Sequence, residues 1–90
     1  MACINYNCYS LKKITKTSFE KITVKKGTML GKILNILIDK YGELFKFQLF
    51  DSDTGKLKLI ILVNGISTSN LNLDIHDSNK INIVLPITGG

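Results

Sequence analysis

Few residues in this chain carry reactive chemistry, and their spacing narrows what that chemistry can be. The sequence closes on Pro86-Ile87-Thr88-Gly89-Gly90, directly after the apolar run Ile81-Asn82-Ile83-Val84-Leu85. A diglycine end offers a carboxylate on a backbone free of side chains, which suits chemistry on the carboxyl carbon itself. The competing reading is a frayed terminus, because chain ends are commonly poorly ordered. His76, the one histidine, stands between Asp74 and Asp77 and has the make-up of a base. No serine or cysteine nucleophile accompanies it, so a solvated loop residue is expected instead. Cys3 and Cys8 are five positions apart. Within one strand that odd separation puts them on opposite faces, where they form neither a disulfide nor a metal pair. Asp51-Ser52-Asp53-Thr54-Gly55 has the acidic spacing of a calcium loop but lacks its closing glutamate, leaving turn chemistry. No P-loop, dinucleotide fingerprint, zinc spacing or nucleophile elbow occurs. The sequence therefore predicts no active site of its own, no metal and no bound cofactor.

The elements that must position these groups fit in one domain. The chain has 90 residues, of which 44% are hydrophobic, too apolar for a disordered segment. A domain of this size buries about 60–65% of its unfolded surface, enough to fold without staples. Leu59-Ile60-Ile61-Leu62-Val63 is the longest apolar run, far short of the roughly 20 residues that span a bilayer. No signal peptide is visible at the start, so a cytoplasmic protein with no membrane partner is expected. The net charge of +5 comes with 12 basic residues, all lysine. They are scattered, and no arginine supplies a bidentate fork for phosphate or guanine, so nucleic acid is not expected as a partner.

Read in order, Cys3 to Tyr9 alternates with Ile4, Tyr6 and Cys8 on one face, which predicts a strand. Leu11 to Ile14 reads as a connecting turn, and Ser18 to Lys25 as a second strand that forms a hairpin with the first. Thr28 precedes apolar residues at 30, 33, 34, 37, 38 and 41, the spacing of one buried helical face. Its hydroxyl is the expected cap and Gly42 the expected stop. Gly31 inside this helix hints at close packing on a sheet. Residues 43–50 fit a loop or a short strand. Lys56 to Val63 reads as a strand buried on both faces at its end, and Asn64-Gly65 as a hairpin turn into a short strand over 66–68. A polar crossover from Ser69 to Asn79, anchored by Leu71, Leu73 and Ile75, leads to a last strand from Lys80 to Leu85. Pro86 cannot donate to a ladder, which releases the tail. The pattern predicts an α+β, β-grasp fold: a mixed sheet of about five strands, first and last adjacent, with one main helix. Residues 1–90 form the domain and 86–90 its exposed tail.

Several stretches resemble one family. Leu62-Val63-Asn64-Gly65-Ile66, His76-Asp77-Ser78-Asn79-Lys80-Ile81 and Leu85-Pro86-Ile87-Thr88-Gly89-Gly90 look like the MoaD/ThiS family of ubiquitin-like sulfur carriers. Phe50-Asp51-Ser52-Asp53-Thr54-Gly55-Lys56 resembles its MoaD branch. Leu85 replaces a usual proline, and Ser78-Asn79-Lys80 replaces an acidic Gly-Asp-Glu, which makes the crossover more basic. The resemblance implies that the Gly90 carboxylate is adenylated by a ubiquitin-activating-type enzyme using ATP. A sulfur donor such as a persulfide protein then converts it to a thiocarboxylate. In the MoaD branch the chain is the small subunit of molybdopterin synthase and its tail enters the large subunit, serving molybdenum or tungsten cofactor synthesis. Gly89 suits a narrow tunnel, Ile87 and Thr88 would anchor the segment, and Pro86 would stiffen its exit. Val84 and Ile66 are the candidate docking patch. Alternatives are a ThiS-like carrier for the thiamine thiazole, a carrier for tRNA thiolation or a protein modifier, and, from another class, an interaction module that carries nothing.

Overall fold

Residues 1–85 are described by the computed structural model of the chain. Strand β1 (Ala2–Asn7) follows its alternation closely: Ala2, Ile4 and Tyr6 are fully buried, and Cys3 and Asn5 lie half-buried on the other face. The next segment is helix α1 (Tyr9–Thr15) where a turn was expected. It sinks Leu11 into the core and ends at Lys16, whose left-handed backbone (φ 62°) donates its N–H to the Lys12 carbonyl. β2 (Phe19–Ile22) is shorter than the expected 18–25 and pairs antiparallel with β1, from Ala2 against Ile22 to Asn5 against Phe19. The pairing is that of the expected hairpin, but a helix connects the two strands.

Helix α2 (Leu30–Tyr41) buries Leu30, Ile33, Leu34 and Leu37, with Ile38 and Tyr41 partly covered, as the spacing requires. Its first turn is held differently from the expectation. Thr28 donates its hydroxyl to the Lys25 carbonyl and caps nothing in the helix. The free N–H groups of Leu30 and Gly31 instead donate to the carbonyls of Leu73 and Leu71, each at 2.8 Å, so the crossover caps the helix. A Cβ on Gly31 would stand 3.2 Å from the Leu71 carbonyl oxygen. The close approach is to the crossover and not to the sheet. Gly42 (φ 93°) ends α2 and opens α3 (Glu43–Leu49), a third helix over the stretch expected as loop or strand. It buries Phe45 and Leu49 and leaves Leu44 and Phe47 outside. Among the described residues the sheet is thus accompanied by three helices and not by one.

A bridge between Phe50 and Leu57 closes the Asp51–Gly55 turn. β3 (Ile60–Val63) and β4 (Ile66–Thr68) join through Asn64 (φ 52°) and Gly65 (φ 83°), the positive pair that an Asn-Gly hairpin turn needs. Only Ile61 of β3 is fully buried, against the expectation of burial on both faces. The crossover seats Ile75 in the core, with Leu71 and Leu73 packed against it. β5 (Lys80–Val84) then enters the middle of the sheet, parallel to β1 and antiparallel to β3, in the order β2-β1-β5-β3-β4. This is the expected β-grasp arrangement. None of the helices in the described residues is long and apolar enough to cross a membrane.

Candidate functional site

The site begins where β5 ends. Val84 is held between Asn7 of β1 and Ile60 of β3, and Leu85, 60% exposed, leads away from it. Because β5 is central, the chain leaves the sheet from its middle. The expected reactive residue Gly90 and the tail positions Gly89, Thr88, Ile87 and Pro86 lie outside the described residues.

Side chains of paired residues share a face of a sheet, so the register sorts the surroundings. Ile4, Tyr6, Ile61, Ile81 and Ile83 point together under the helices and are fully buried. Val84 belongs to the opposite, helix-free face. Its neighbours there are Asn7 and Ile60, then a row formed by Phe19, Asn5, Asn82, Leu62 and Ser67. Asn7 donates its amide to Asn82 Oδ1 at 2.9 Å, tying β1 to β5 on this surface. Farther from the end of β5, Cys3 lies between Lys21 and Lys80. The open face therefore grades from apolar beside Val84, through amides, to basic.

Ile66 does not join Val84. It pairs with Val63, which pairs with the buried Ile81, so Ile66 stands on the helix side at the edge of the sheet, 72% exposed. The two candidate docking residues are on opposite faces. Phe19, Ile60 and Leu62, which accompany Val84, went unnoticed in the sequence. Alternation along one strand places Val84 beside Asn82 and Lys80, but cross-strand neighbours follow only from the register.

The other candidates are occupied structurally. His76 is exposed in a turn, where its N–H donates to Asn79 Oδ1 and its carbonyl accepts from the Asn79 N–H. Asp51 Oδ1 accepts from the N–H groups of Asp53 and Thr54, which holds its carboxylate inside the turn. Cys8 is buried against the Ser10 hydroxyl at 3.0 Å, and both cysteines are free. Among the described residues no three His, Cys, Asp or Glu side chains gather to hold a metal ion.

No protein-family model matches the sequence, nor does any curated protein. Solved structures do match. A protein assigned as molybdopterin converting factor subunit 1 of Pyrococcus furiosus superposes with a TM-score of 0.77 at 19% identity, over 96% of this chain and 97% of that one. CysO of Mycobacterium tuberculosis gives 0.76 at 18%, over 97% and 100%. The fold is that of the ubiquitin-like MoaD/ThiS family. Small archaeal modifier protein 1 of Methanosarcina acetivorans has the same fold, with a TM-score of 0.69 at 26% identity over 100% and 98%. In this chain the MoaD/ThiS fold sets the helix-free face beside the end of β5, and in sequence Pro86 to Gly90 follow at once.

Proposed function

We propose that this chain is a sulfur carrier of the MoaD type, acting through the carboxylate of Gly90. The observation that carries the reading is the β-grasp topology, in which the central strand β5 leads straight to Pro86-Ile87-Thr88-Gly89-Gly90. A carboxylate is a poor acyl donor. In this proposal it attacks the α-phosphate of ATP on an adenylating enzyme, pyrophosphate leaves, and a mixed anhydride with AMP forms. The terminal sulfur of a persulfide protein then attacks the acyl carbon and AMP leaves, giving an acyl disulfide. A protein thiol attacks the donor-side sulfur, forms a disulfide with the donor cysteine, and so supplies the two electrons that release the Gly90 thiocarboxylate. The large subunit of a molybdopterin synthase receives the tail and takes the sulfur. The chain itself contributes no catalytic side chain: residues 1–85 are the handle by which partners in the cytoplasm hold the tail. Val84, Ile60, Leu62 and Phe19 form the apolar part of that handle, on the face from which β5 ends.

Glycine suits both terminal positions, since the absence of Cβ lets the backbone thread a narrow passage and adopt angles closed to other residues. Intact mass spectrometry tests the reading after incubation with a cognate activating enzyme, ATP and a sulfide source. The expected gain equals the replacement of one carboxylate oxygen by sulfur, and deletion of Gly90 abolishes it without changing the thermal melt. An unchanged mass would favour an interaction module that carries nothing. A modifier role is the second reading, supported by the likeness to small archaeal modifier protein 1. Under it, the activated Gly90 appears in isopeptide linkage to lysines of other proteins. Co-purification separates the carriers: a molybdopterin synthase large subunit supports the first reading and a thiazole synthase a ThiS-like one.

A further inference from the structure

Where β2 gives way to α2, the surface sinks into a hollow of about 560 Å³. It lies at the end of the sheet opposite to the exit of β5: Ile22 closes β2 against Ala2, the first residue of β1, whereas Val84 stands against Asn7, the last. Three exposed lysines line the hollow, Lys25 and Lys26 from the turn before α2 and Lys32 from the helix itself. Met29, 45% exposed, and the half-buried Leu71 supply its apolar part, with Asn72 beside them. No carboxylate lines it; Asp74 meets Met29 through a backbone bridge and stays outside the wall.

Two observations set these three lysines apart from those scattered elsewhere. The first is convergence. Four other hollows hold at most one lysine each, and three of the four also have an aspartate in the wall. The second is the place where the charges stand. A helix start carries partial positive charge and favours acidic neighbours, yet α2 has no acidic residue in its first turn and gathers cations around it. Stability gains nothing from that choice. The turn is also held firmly in position. Val24 is buried, the Lys25 carbonyl accepts both the N–H (3.1 Å) and the hydroxyl (2.7 Å) of Thr28, and the Thr28 carbonyl accepts the Ile75 N–H at 2.8 Å. Because the crossover engages the N–H groups of Leu30 and Gly31, the hollow presents ammonium groups around an apolar patch.

We infer that this hollow docks an acidic segment of a partner protein. Carboxylates of the segment meet Lys25, Lys26 and Lys32, and an apolar side chain between them packs on Met29 and Leu71. The lining chemistry favours this occupant over a nucleic acid. Lysine is a point charge without the bidentate fork of arginine, and no aromatic side chain lines the hollow to stack a base. A partner seated here leaves both the open sheet face and the end of β5 uncovered. The inference is independent of the sulfur-carrier reading, because it uses no residue of the tail or of the open face.

The test titrates the isotope-labelled protein with a capped pentapeptide of four glutamates around a central leucine, following backbone amide resonances. Parallel titrations use the same peptide with glutamine for glutamate, and a ten-nucleotide oligothymidylate. The expected result is saturable shifts centred on Lys26, Gly27, Lys32 and Asn72 with the acidic peptide, and none with the glutamine peptide. Each exposed ion pair accounts for about two- to fivefold in affinity, so the combined Lys25→Gln, Lys26→Gln and Lys32→Gln variant should bind at least about tenfold more weakly. A control variant with Lys12→Gln, Lys13→Gln and Lys46→Gln loses the same charge from exposed positions outside the hollow, and it should bind as the parent does. An unchanged or higher thermal melt verifies that the first variant folds; Lys32→Gln alone serves if it does not. The proposal is overturned by an absence of shifts at millimolar acidic peptide, by equal weakening in the two triple variants, or by tighter binding of the oligothymidylate at the same residues.

Discussion

Ile81 and Ile83 of β5 are fully buried beneath the helices, whereas Asn82 and Val84, each one residue along, stay partly exposed on the other side of the sheet. The same contrast runs through β1, with Ile4 and Tyr6 against Asn5 and Asn7. A strand sends alternate side chains to opposite faces, so one stretch of sequence builds two surfaces with different tasks. The helix-side face supplies the hydrophobic stability. The open face carries amides, two lysines and an apolar strip, and nothing in the described residues requires it for the core. A surface that the fold does not need is free to be shaped by what it meets.

That division can be broken most sharply in the core. Ile83→Ala should destabilise the protein by about 2–5 kcal/mol, the loss of buried methyl groups plus the cavity they leave. This is a large share of the roughly 5–15 kcal/mol that holds a domain together. On the open face Phe19→Ser, at a position 52% exposed, should cost no more than about 1 kcal/mol, while slowing thiocarboxylation of Gly90 by the activating enzyme. Urea unfolding reads the first effect and intact mass against time the second. Equal losses of stability would mean that the two faces do not divide the work as described.

A smaller effect tests how the helix layer is locked to the crossover. Gly31→Val should cost about 1–3 kcal/mol through overpacking, because its side chain would press on the carbonyl and Cβ of Leu71. The Leu71 carbonyl also accepts the Gly31 N–H, so the clash falls on the contact that caps α2. The readout is again the urea midpoint. A neutral outcome would show that the crossover gives way there, and that its grip on α2 is looser than the two 2.8 Å bonds imply.

The same contact explains what the sequence could and could not reveal. The buried stripe of α2, the Asn64-Gly65 turn and the alternation of β1 are local patterns, and each was legible. The capping of α2 by residues 71 and 73 joins positions some forty residues apart in the chain, so Thr28 looked like the cap because it was the nearest hydroxyl. Helix α3 escaped notice because Leu44 and Phe47 point outward and blur the four-residue interval from Phe45 to Leu49. Helix α1 has one fully buried apolar side chain, Leu11, and no side-chain cap, too little for a periodic signal. Near the candidate site, the last strand running to Val84 was readable, whereas the separation of Val84 from Ile66 depends on strand register. Register is set by tertiary pairing, which one strand's sequence does not carry.

The smallest predicted effect concerns a polar group on the buried face. Tyr6 is fully buried, its ring meets Tyr41 and Phe45 edge-on, and its hydroxyl has no hydrogen-bond partner among the described residues. Nearby, Glu20 of β2 accepts from the Tyr41 hydroxyl and from Lys40 at 3.2 Å, joining the edge strand to the end of α2. Burial, and then the negative charge of Glu20, push the Tyr6 phenol well above its ordinary value. Burial and the bond to Glu20 raise Tyr41 as well, and the bond to Glu20 raises Lys40. All three shifts have the same sign: the fold favours the protonated forms. Their contribution is complete below a pH of about 10, where unfolded tyrosine and lysine begin to lose protons, and is lost as the pH rises further. Melting temperature should therefore fall on the alkaline side. Tyr6→Phe removes a buried group that makes no bond, so at neutral pH stability should be unchanged or higher by up to about 1 kcal/mol. The alkaline fall should also become shallower, because one titrating group is gone. Melts of both proteins across that range decide the matter: a clear loss of stability in Tyr6→Phe at neutral pH would mean that the hydroxyl is bonded after all, and that the buried face tolerates polarity only when it is fully paired.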